Sequence, residues 1–201
     1  MTNFTNAPID DAALDALFRE AHTANSFTDE PVTDEQVRTI VELAQLGPTA
    51  MNAQPARLVV VRSPEAKARL LPHLAEGNRA KTEAAPATIL AAAYTDFHEE
   101  MPRIWPVMPG IRDTFEANEE GRKEMAGLNT GLQIGYLIMA IRAAGLAAGP
   151  MSGMDAAGMT EEFFPGGRHR ALVAINIGKP GENAFHDRMP RLSFDEVAEV
   201  L

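Results

Sequence analysis

Residues 47–57 read Gly47-Pro48-Thr49-Ala50-Met51-Asn52-Ala53-Gln54-Pro55-Ala56-Arg57, and they join a helical pattern to a strand pattern. Proline fixes φ and lacks an N–H, so the two prolines make this a shaped connector rather than a continuing helix. Thr49, Asn52 and Gln54 both donate and accept hydrogen bonds. That set suits a neutral polar heterocycle with a ribose-like chain better than a metal or a phosphate alone. Read locally, the same residues also fit a helix C-terminus followed by an Asx or Ser/Thr turn.

On the N-terminal side, Thr33-Asp34-Glu35-Gln36 is a capping box, and Val37, Ile40, Val41 and Ala44 follow at helical spacing up to Leu46-Gly47. Before it, residues 10–23 predict an amphipathic helix capped by Asp10 or Asp11, with Ala13, Leu14, Leu17 and Phe18 as its apolar face. On the C-terminal side, Leu58–Val61 is a β-branched run and predicts a buried strand. Ser63 and Pro64 open a helix to about Leu74, as N-cap and N1 residues. A shorter helix around Asn78–Ala84 ends before Pro86, and Thr88–Tyr94 is the next strand. Residues 95–117, with Pro102, Pro106, Pro109 and the sole tryptophan Trp105, predict an irregular excursion. It reads equally as a lid or as a loop covering the core edge.

A long helix is expected from about Asn118 to Ala144, closed by Gly145. Gly127, Gly131 and Gly135 recur every fourth residue on one face, which means either close approach of another backbone or flat ligand, or loose core packing. Gly149–Asp155 reads as a tight glycine-flanked loop, with Asp155 capping a helix to Phe163. Ala171–Ile177 is a third strand, and Ser193…Glu196 caps a last short helix. The fold class is therefore α+β, a small, mostly apolar sheet wrapped by helices, in one domain over residues 1–201.

With 18 basic and 28 acidic residues the chain carries a formal charge of −10, which argues against nucleic acid and against an anionic membrane surface. It has no cysteine, so disulfides, thiolate catalysis and cysteine-ligated metals are excluded. Between Gly127 and Gly149 only Arg142 is charged, but Asn129, Thr130, Gln133 and the glycines mark a buried helix rather than a membrane span. The N-terminus lacks a signal pattern, and the expected location is cytoplasmic. The five histidines are scattered outside any hydrolase or metalloprotease motif, and no dinucleotide fingerprint or P-loop occurs. His98-Glu99-Glu100 lacks a spaced second ligand and reads as a solvated loop; no metal is expected.

What remains are amides, hydroxyls and single cations: Thr49/Asn52/Gln54, Asn78-x-x-Lys81, Pro150–Gly153 and Arg191. Together, in this order and over essentially the full length, they resemble the FMN-dependent nitroreductase family. GPTAMNAQPARLV, EGNRAKTEAAP, GLAAGPMSGMD and RMPRLSFDE carry a closer resemblance to the subgroup containing the malonic semialdehyde reductase of the Rut pyrimidine-degradation pathway. The resemblance implies the nitroreductase-like fold, with a small, mostly antiparallel central sheet, and a homodimer with one FMN at each of two subunit interfaces. It makes the glycine face of the long helix the dimer seam. It puts His22, Thr23 and Asn25 at the ribityl and phosphate groups, although Ala21 and His22 stand where the family carries an arginine pair. A neutral histidine is a weaker anion partner than arginine. Pro48, Thr49, Ala50, Asn52 and Gln54 form the main cradle, with Gln54 partly holding the turn. Asn78 and Lys81 face the flavin pyrimidine edge, where a lysine stabilises charge that builds on reduction. Pro150, Met151, Ser152 and Gly153 pass the isoalloxazine edge, and Arg191 meets the phosphate.

The implied activity is ping-pong hydride transfer from NADH or NADPH through flavin N5 to a nitro, quinone or small aldehyde acceptor, with no obligatory side-chain acid or base. Met51, Trp105 and Phe115 are the acceptor-pocket candidates. Dedicated malonic semialdehyde reduction, and a flavin-binding sensor without turnover, are the competing readings.

Overall fold

The structure is a computed structural model and describes residues 7–201. Asp10 caps α1 (Asp11–Leu14) by accepting from the Ala13 N–H at 2.8 Å, and the helix continues as one wide π turn over Asp15–Arg19. The Thr33–Gln36 capping box starts α2 (Asp34–Ala44), whose buried residues Ile40 and Ala44 lie at the predicted spacing. β1 (Ala56–Val61), α3 (Pro64–Leu70), α4 (Glu76–Ala84) and β2 (Ala87–Tyr94) follow as the sequence pattern requires.

The excursion is not irregular. It forms a 3-10 turn over Phe97–Glu100, then α5 (Met101–Ile104) and α6 (Ile111–Glu116), with Gly110 at φ 83 making the turn between them. Its prolines sit at a helix N-terminus or in connectors, where a missing N–H is tolerated. α7 (Glu119–Ala143) is the long helix, capped by Asn118 and closed by Gly145 at φ 73. Among the described residues, no helix is long and apolar enough to cross a membrane.

The first three residues of the expected Gly149–Asp155 loop belong instead to a strand, β3 (Ala147–Met151), while residues 152–155 connect it to α8 (Ala156–Phe163), which is followed by β4 (His169–Gly178) and α9 (Phe194–Val197). Gly149 and Pro150 hid it from a propensity reading. Proline is tolerated there because β3 is an edge strand. The sheet is antiparallel throughout, in the order β1-β2-β4-β3. Both faces are covered. Ile89, Ala91, Ile175 and Ile177 pack against α2 and α7, while Leu90, Ala92 and Ala174 pack against α3 and α8. Two buried faces explain why β2 reads as a continuously apolar run instead of an alternating one.

Three apolar surfaces are left wholly or partly uncovered by the described residues. The α1 face expected to be buried is not; no residue of it is buried and Phe18 is 55% exposed. Along α7, Leu128, Gly131, Leu132, Gly135 and Tyr136 form an exposed stripe, and a Cβ built on Gly131 or Gly135 meets nothing. Loose core packing is thus excluded for those two glycines, while Gly127 differs and faces the Arg170 side chain. The C-terminal tail exposes Met189, Leu192, Phe194, Val197, Val200 and Leu201.

Candidate functional site

The candidate residues fall into two clusters. The first gathers around α4 and β3. The Asn78 Nδ2 donates to the Gly153 carbonyl at 3.0 Å, and the same oxygen accepts from the Ala75 N–H. The Lys81 Nζ reaches the Asn25 Oδ1 at 3.4 Å. Among the described residues this long contact is the one hydrogen bond of the ammonium, which has three donors. Asn25 is brought there because the Ala24 N–H donates to the Ala148 carbonyl at 3.0 Å, laying residues 21–27 along β3. Gly149 permits this, since a Cβ there would lie 2.5 Å from the Ala24 carbonyl oxygen. Asn25, Asn78, Lys81 and Gly153 therefore converge, with the exposed Ser152 beside them.

His22 and Thr23 adjoin this cluster in the chain. The His22 ring hydrogen-bonds the His186 carbonyl through Nδ1 at 3.0 Å and lines a cleft of about 180 Å³ with Arg142 and Phe185. Arg188 donates to the carbonyls of Arg19 and Ala21 at 2.6 and 3.1 Å, which docks the tail against the same segment. Arg191 follows in the exposed tail, donating to the Met189 carbonyl at 2.8 Å; its guanidinium makes no contact with the first cluster.

The second cluster is the 48–57 connector. Three of its residues, Met51, Asn52 and Gln54, hold φ at 51, 55 and 43 degrees. Left-handed backbone at non-glycine residues costs about 1–2 kcal/mol each and persists only where surroundings over-determine it. The determinants are visible. The Ala50 N–H donates to the Asn129 Oδ1 at 2.7 Å, the Gln54 N–H to the Thr49 Oγ1 at 3.2 Å, and the Ala56 N–H to the Gln133 Oε1 at 2.9 Å. The Asn52 Nδ2 donates to the Ile104 carbonyl and its Oδ1 accepts from the Gln54 Nε2 at 2.8 Å. The polar residues that interrupt α7 thus hold this loop, and the turn-holding role expected of Gln54 extends to Thr49 and Asn52.

Met51, Trp105 and Phe115 meet in one apolar cluster with Phe97, Met101 and Ile111, and the Trp105 indole N–H is buried there without a partner among the described residues. A cleft of about 450 Å³ opens beside Gln54 and Arg57 against α2 and α7. Burial pushes the Arg57 pKa down, opposed by Tyr94 and Glu100, and its guanidinium lies 4.6 Å from the Tyr94 ring centroid. Lys81, Asn78 and Gly153 are not part of this cleft.

The sheet order keeps the clusters apart. The connector leads into β1 at one edge and Pro150–Met151 lie in β3 at the other, three inter-strand spacings, or about 14 Å, away.

The nitroreductase family profile matches residues 19–179 of the chain. The chain belongs to this family. A Streptomyces griseus protein provisionally named NADH dehydrogenase/NAD(P)H nitroreductase is 55% identical over 193 residues, covering 96% of this chain and 98% of the relative. A Leptothrix cholodnii protein of the same provisional name is 45% identical with the same coverage. Among solved structures, a nitroreductase family protein from Streptococcus pneumoniae superposes with a TM-score of 0.81 at 27% identity, covering 92% of this chain and 98% of that one. An Exiguobacterium sibiricum structure described as a nitroreductase in complex with FMN gives 0.83 at 22% identity, covering 98% and 100%, and supports the nitroreductase fold.

Two further groups in this nitroreductase chain were not assigned by sequence reasoning. Thr82, Thr88 and Asn176 are fully buried beneath the first cluster. A lone carboxamide inside the apolar run of β4 was the available signal. The other group corrects the reading of His98 as solvated. His98 is 1% exposed, with Nε2 2.6 Å from the Glu116 carboxylate and 3.1 Å from the Arg122 Nη1. Together with Glu99, these side chains place three ligand-type atoms within 4.8 Å of one another. The Arg122 guanidinium already supplies positive charge at that nitrogen, so the carboxylates have an internal counter-ion.

Proposed function

We propose that this chain is an FMN-dependent NAD(P)H oxidoreductase acting as a homodimer on a nitro, quinone or small aldehyde acceptor. The observation that carries the reading is the convergence of Asn25, Asn78, Lys81 and the Pro150–Gly153 segment on one side of the sheet. These residues offer amides, one ammonium with three donors and a close-approaching backbone, which is a donor set that fits a flavin.

FMN, when bound, supplies the two-electron redox chemistry. Lys81 would hold the pyrimidine edge and favour negative charge there. Asn25 keeps the ammonium oriented, and Asn78 fixes the Gly153 turn. His22, Thr23 and Arg191 would take the ribityl and phosphate end. The strained connector, with Thr49 and Asn52, would complete the site from the second protomer, because one chain keeps the two clusters at opposite sheet edges. Met51, Trp105 and Phe115 would wall the acceptor side, where exclusion of water strengthens every electrostatic contact.

A visible spectrum of the purified protein tests the activity. Added FMN should bind, and anaerobic NADH or NADPH should bleach it, with colour restored by a quinone or nitro acceptor. A yellow protein that neither nucleotide bleaches would leave only a flavin-binding role, and a chain without FMN affinity would end both readings. Malonic semialdehyde is one acceptor to assay in the same reoxidation step.

The dimer rests on the exposed apolar stripe of α7, the unburied α1 face and the apolar tail. Sedimentation should give a two-chain species. A stable FMN-loaded monomer is the result that contradicts it.

A further inference from the structure

Beneath the first cluster lies a chain of three polar side chains, all fully buried. The Thr88 Oγ1 donates to the Asn176 Oδ1 at 2.8 Å, and the Asn176 Nδ2 donates to the Thr82 Oγ1 at 3.0 Å. The Met151 Sδ stands 3.9 Å from both the Asn176 amide and the Thr82 hydroxyl. Thr88, Asn176 and Gly149 are direct register partners across β2, β4 and β3. The face they present carries the Ala24 backbone, which crosses over Gly149, and α4, which contributes Thr82. Asn176 therefore sits where the two segments that carry Asn25 and Lys81 meet.

Stability alone does not explain this network. A buried, fully paired polar group gains little over an apolar side chain of similar shape, and replacing both partners together is often neutral or stabilising. Such groups specify one arrangement among several that apolar packing would permit. Thr82 is the one buried residue of α4, and the helix's other side-chain ties, among them those from Asn78 to the Gly153 carbonyl and from Arg79 to the Leu74 carbonyl, are made by residues that are not buried. The Thr82 bond is the directional contact this helix makes with the buried core, and Lys81 is the neighbouring residue.

We propose that Asn176, acting through Thr82, is a positioning residue that sets the rotation of α4. It thereby places Lys81 against the pyrimidine edge of the flavin and Asn78 against Gly153. The proposal rests on the FMN reading above. It goes beyond that reading by assigning part of the flavin's redox tuning to residues that do not touch the flavin.

The test replaces the whole network with apolar residues, Thr82→Val, Thr88→Val and Asn176→Leu, in the full-length protein. Three quantities are read: thermal midpoint, FMN Kd by fluorescence quenching, and FMN midpoint potential. The triple variant should keep or raise the thermal midpoint, while Kd rises about tenfold, the scale of one hydrogen bond to a charged group. The potential should move to more negative values, the direction also expected of Lys81→Met. Adding Lys81→Met to the triple variant should produce little further shift, because the ammonium is already misplaced. Unchanged Kd and potential in the folded triple variant overturn the proposal, and so does a Lys81→Met effect that adds in full. Should the triple variant fail to fold, Thr82→Val alone is put through the same cycle, with Thr82→Ser expected to recover most of the affinity. A wild-type chain without FMN affinity removes the underlying reading and the proposal with it. A wild type that binds, beside variants that bind equally well, removes the proposal only.

Discussion

Replacing Arg122 by methionine is expected to lower stability by about 3 kcal/mol, near the lower end for breaking a buried ion pair. The thermal midpoint should fall by about 6–12 °C for a chain of this size. Arg122 is 7% exposed and sits in the first turns of α7. Its Nη2 donates to the Asp96 carboxylate at 3.2 Å, and its Nη1 lies 3.4 Å from the Glu116 carboxylate and 3.1 Å from the His98 Nε2. Asp96 and His98 follow β2, and Glu116 ends α6, so the guanidinium ties both ends of the 95–117 excursion to the long helix. The 2.6 Å contact with Glu116 takes the His98 Nε2 proton, and the histidine cannot then also accept from arginine at that atom.

Methionine keeps the apolar stem and removes the charge. Asp96 and Glu116 are left without it but still reach water, with side chains 26% and 56% exposed, which holds the loss to the lower part of the range. Limited proteolysis should cut between Pro102 and Gly110 sooner in the variant, while exchange protection of the β2 and β4 amides persists in the folded fraction. Asp96→Asn combined with Arg122→Met should lose less than the sum of the two. An unchanged thermal midpoint in Arg122→Met would show that the excursion is held by Phe97, Met101 and Ile111 alone.

The elements whose local chemistry and tertiary context agree were legible from residues alone. The Thr33 box, the Ser63–Pro64 start, the Asn118–Gly145 helix and the apolar run of β2 are of that kind. β3 was not, because glycine and proline argue against a strand, and only its place at a sheet edge, with Ala24 crossing Gly149, makes both acceptable. The excursion hid its helices behind three prolines, of which Pro102 lies in the first turn of α5 and Pro106 and Pro109 in the connector before α6. Within the candidate site, Asn78, Lys81 and Gly153 could be named one by one, but their convergence depends on strand order, which no local pattern encodes. The connector's polar residues suggested a ligand. The structure shows that they first satisfy one another and α7, and that the loop's unusual backbone is the result. His98 misled because its acidic neighbours in sequence suggested solvent, whereas its partners come from residues 116 and 122.

The same dependence on strand order makes Gly149 the residue where a small change should reach furthest. A Cβ there would stand 2.5 Å from the Ala24 carbonyl oxygen, a backbone atom that cannot rotate away. It would also lie 3.5 Å from the Phe27 ring and 3.6 Å from the Asn176 Cβ, so the remaining directions are filled. Gly149→Val must therefore push residues 21–27 off β3. That movement breaks the 3.0 Å bond from the Ala24 N–H to the Ala148 carbonyl and strains the 2.8 Å bond from the Asn25 N–H to the Ala184 carbonyl. Overpacking of this kind costs about 3 kcal/mol, equivalent to about 6–12 °C in thermal midpoint. β-branching favours the strand itself, which offsets only a few tenths of that. Because Asn25 is the contact of the Lys81 ammonium, FMN affinity should fall along with stability, by about tenfold or more for loss of an oriented charged donor. Gly131→Ala, at an α7 position where a Cβ meets nothing, should leave the stability of a single chain intact and gain from helix propensity. Equal thermal midpoints and equal FMN titrations for Gly149→Val and wild type would mean that the 21–27 segment does not lie on β3, and the first cluster would then lose Asn25.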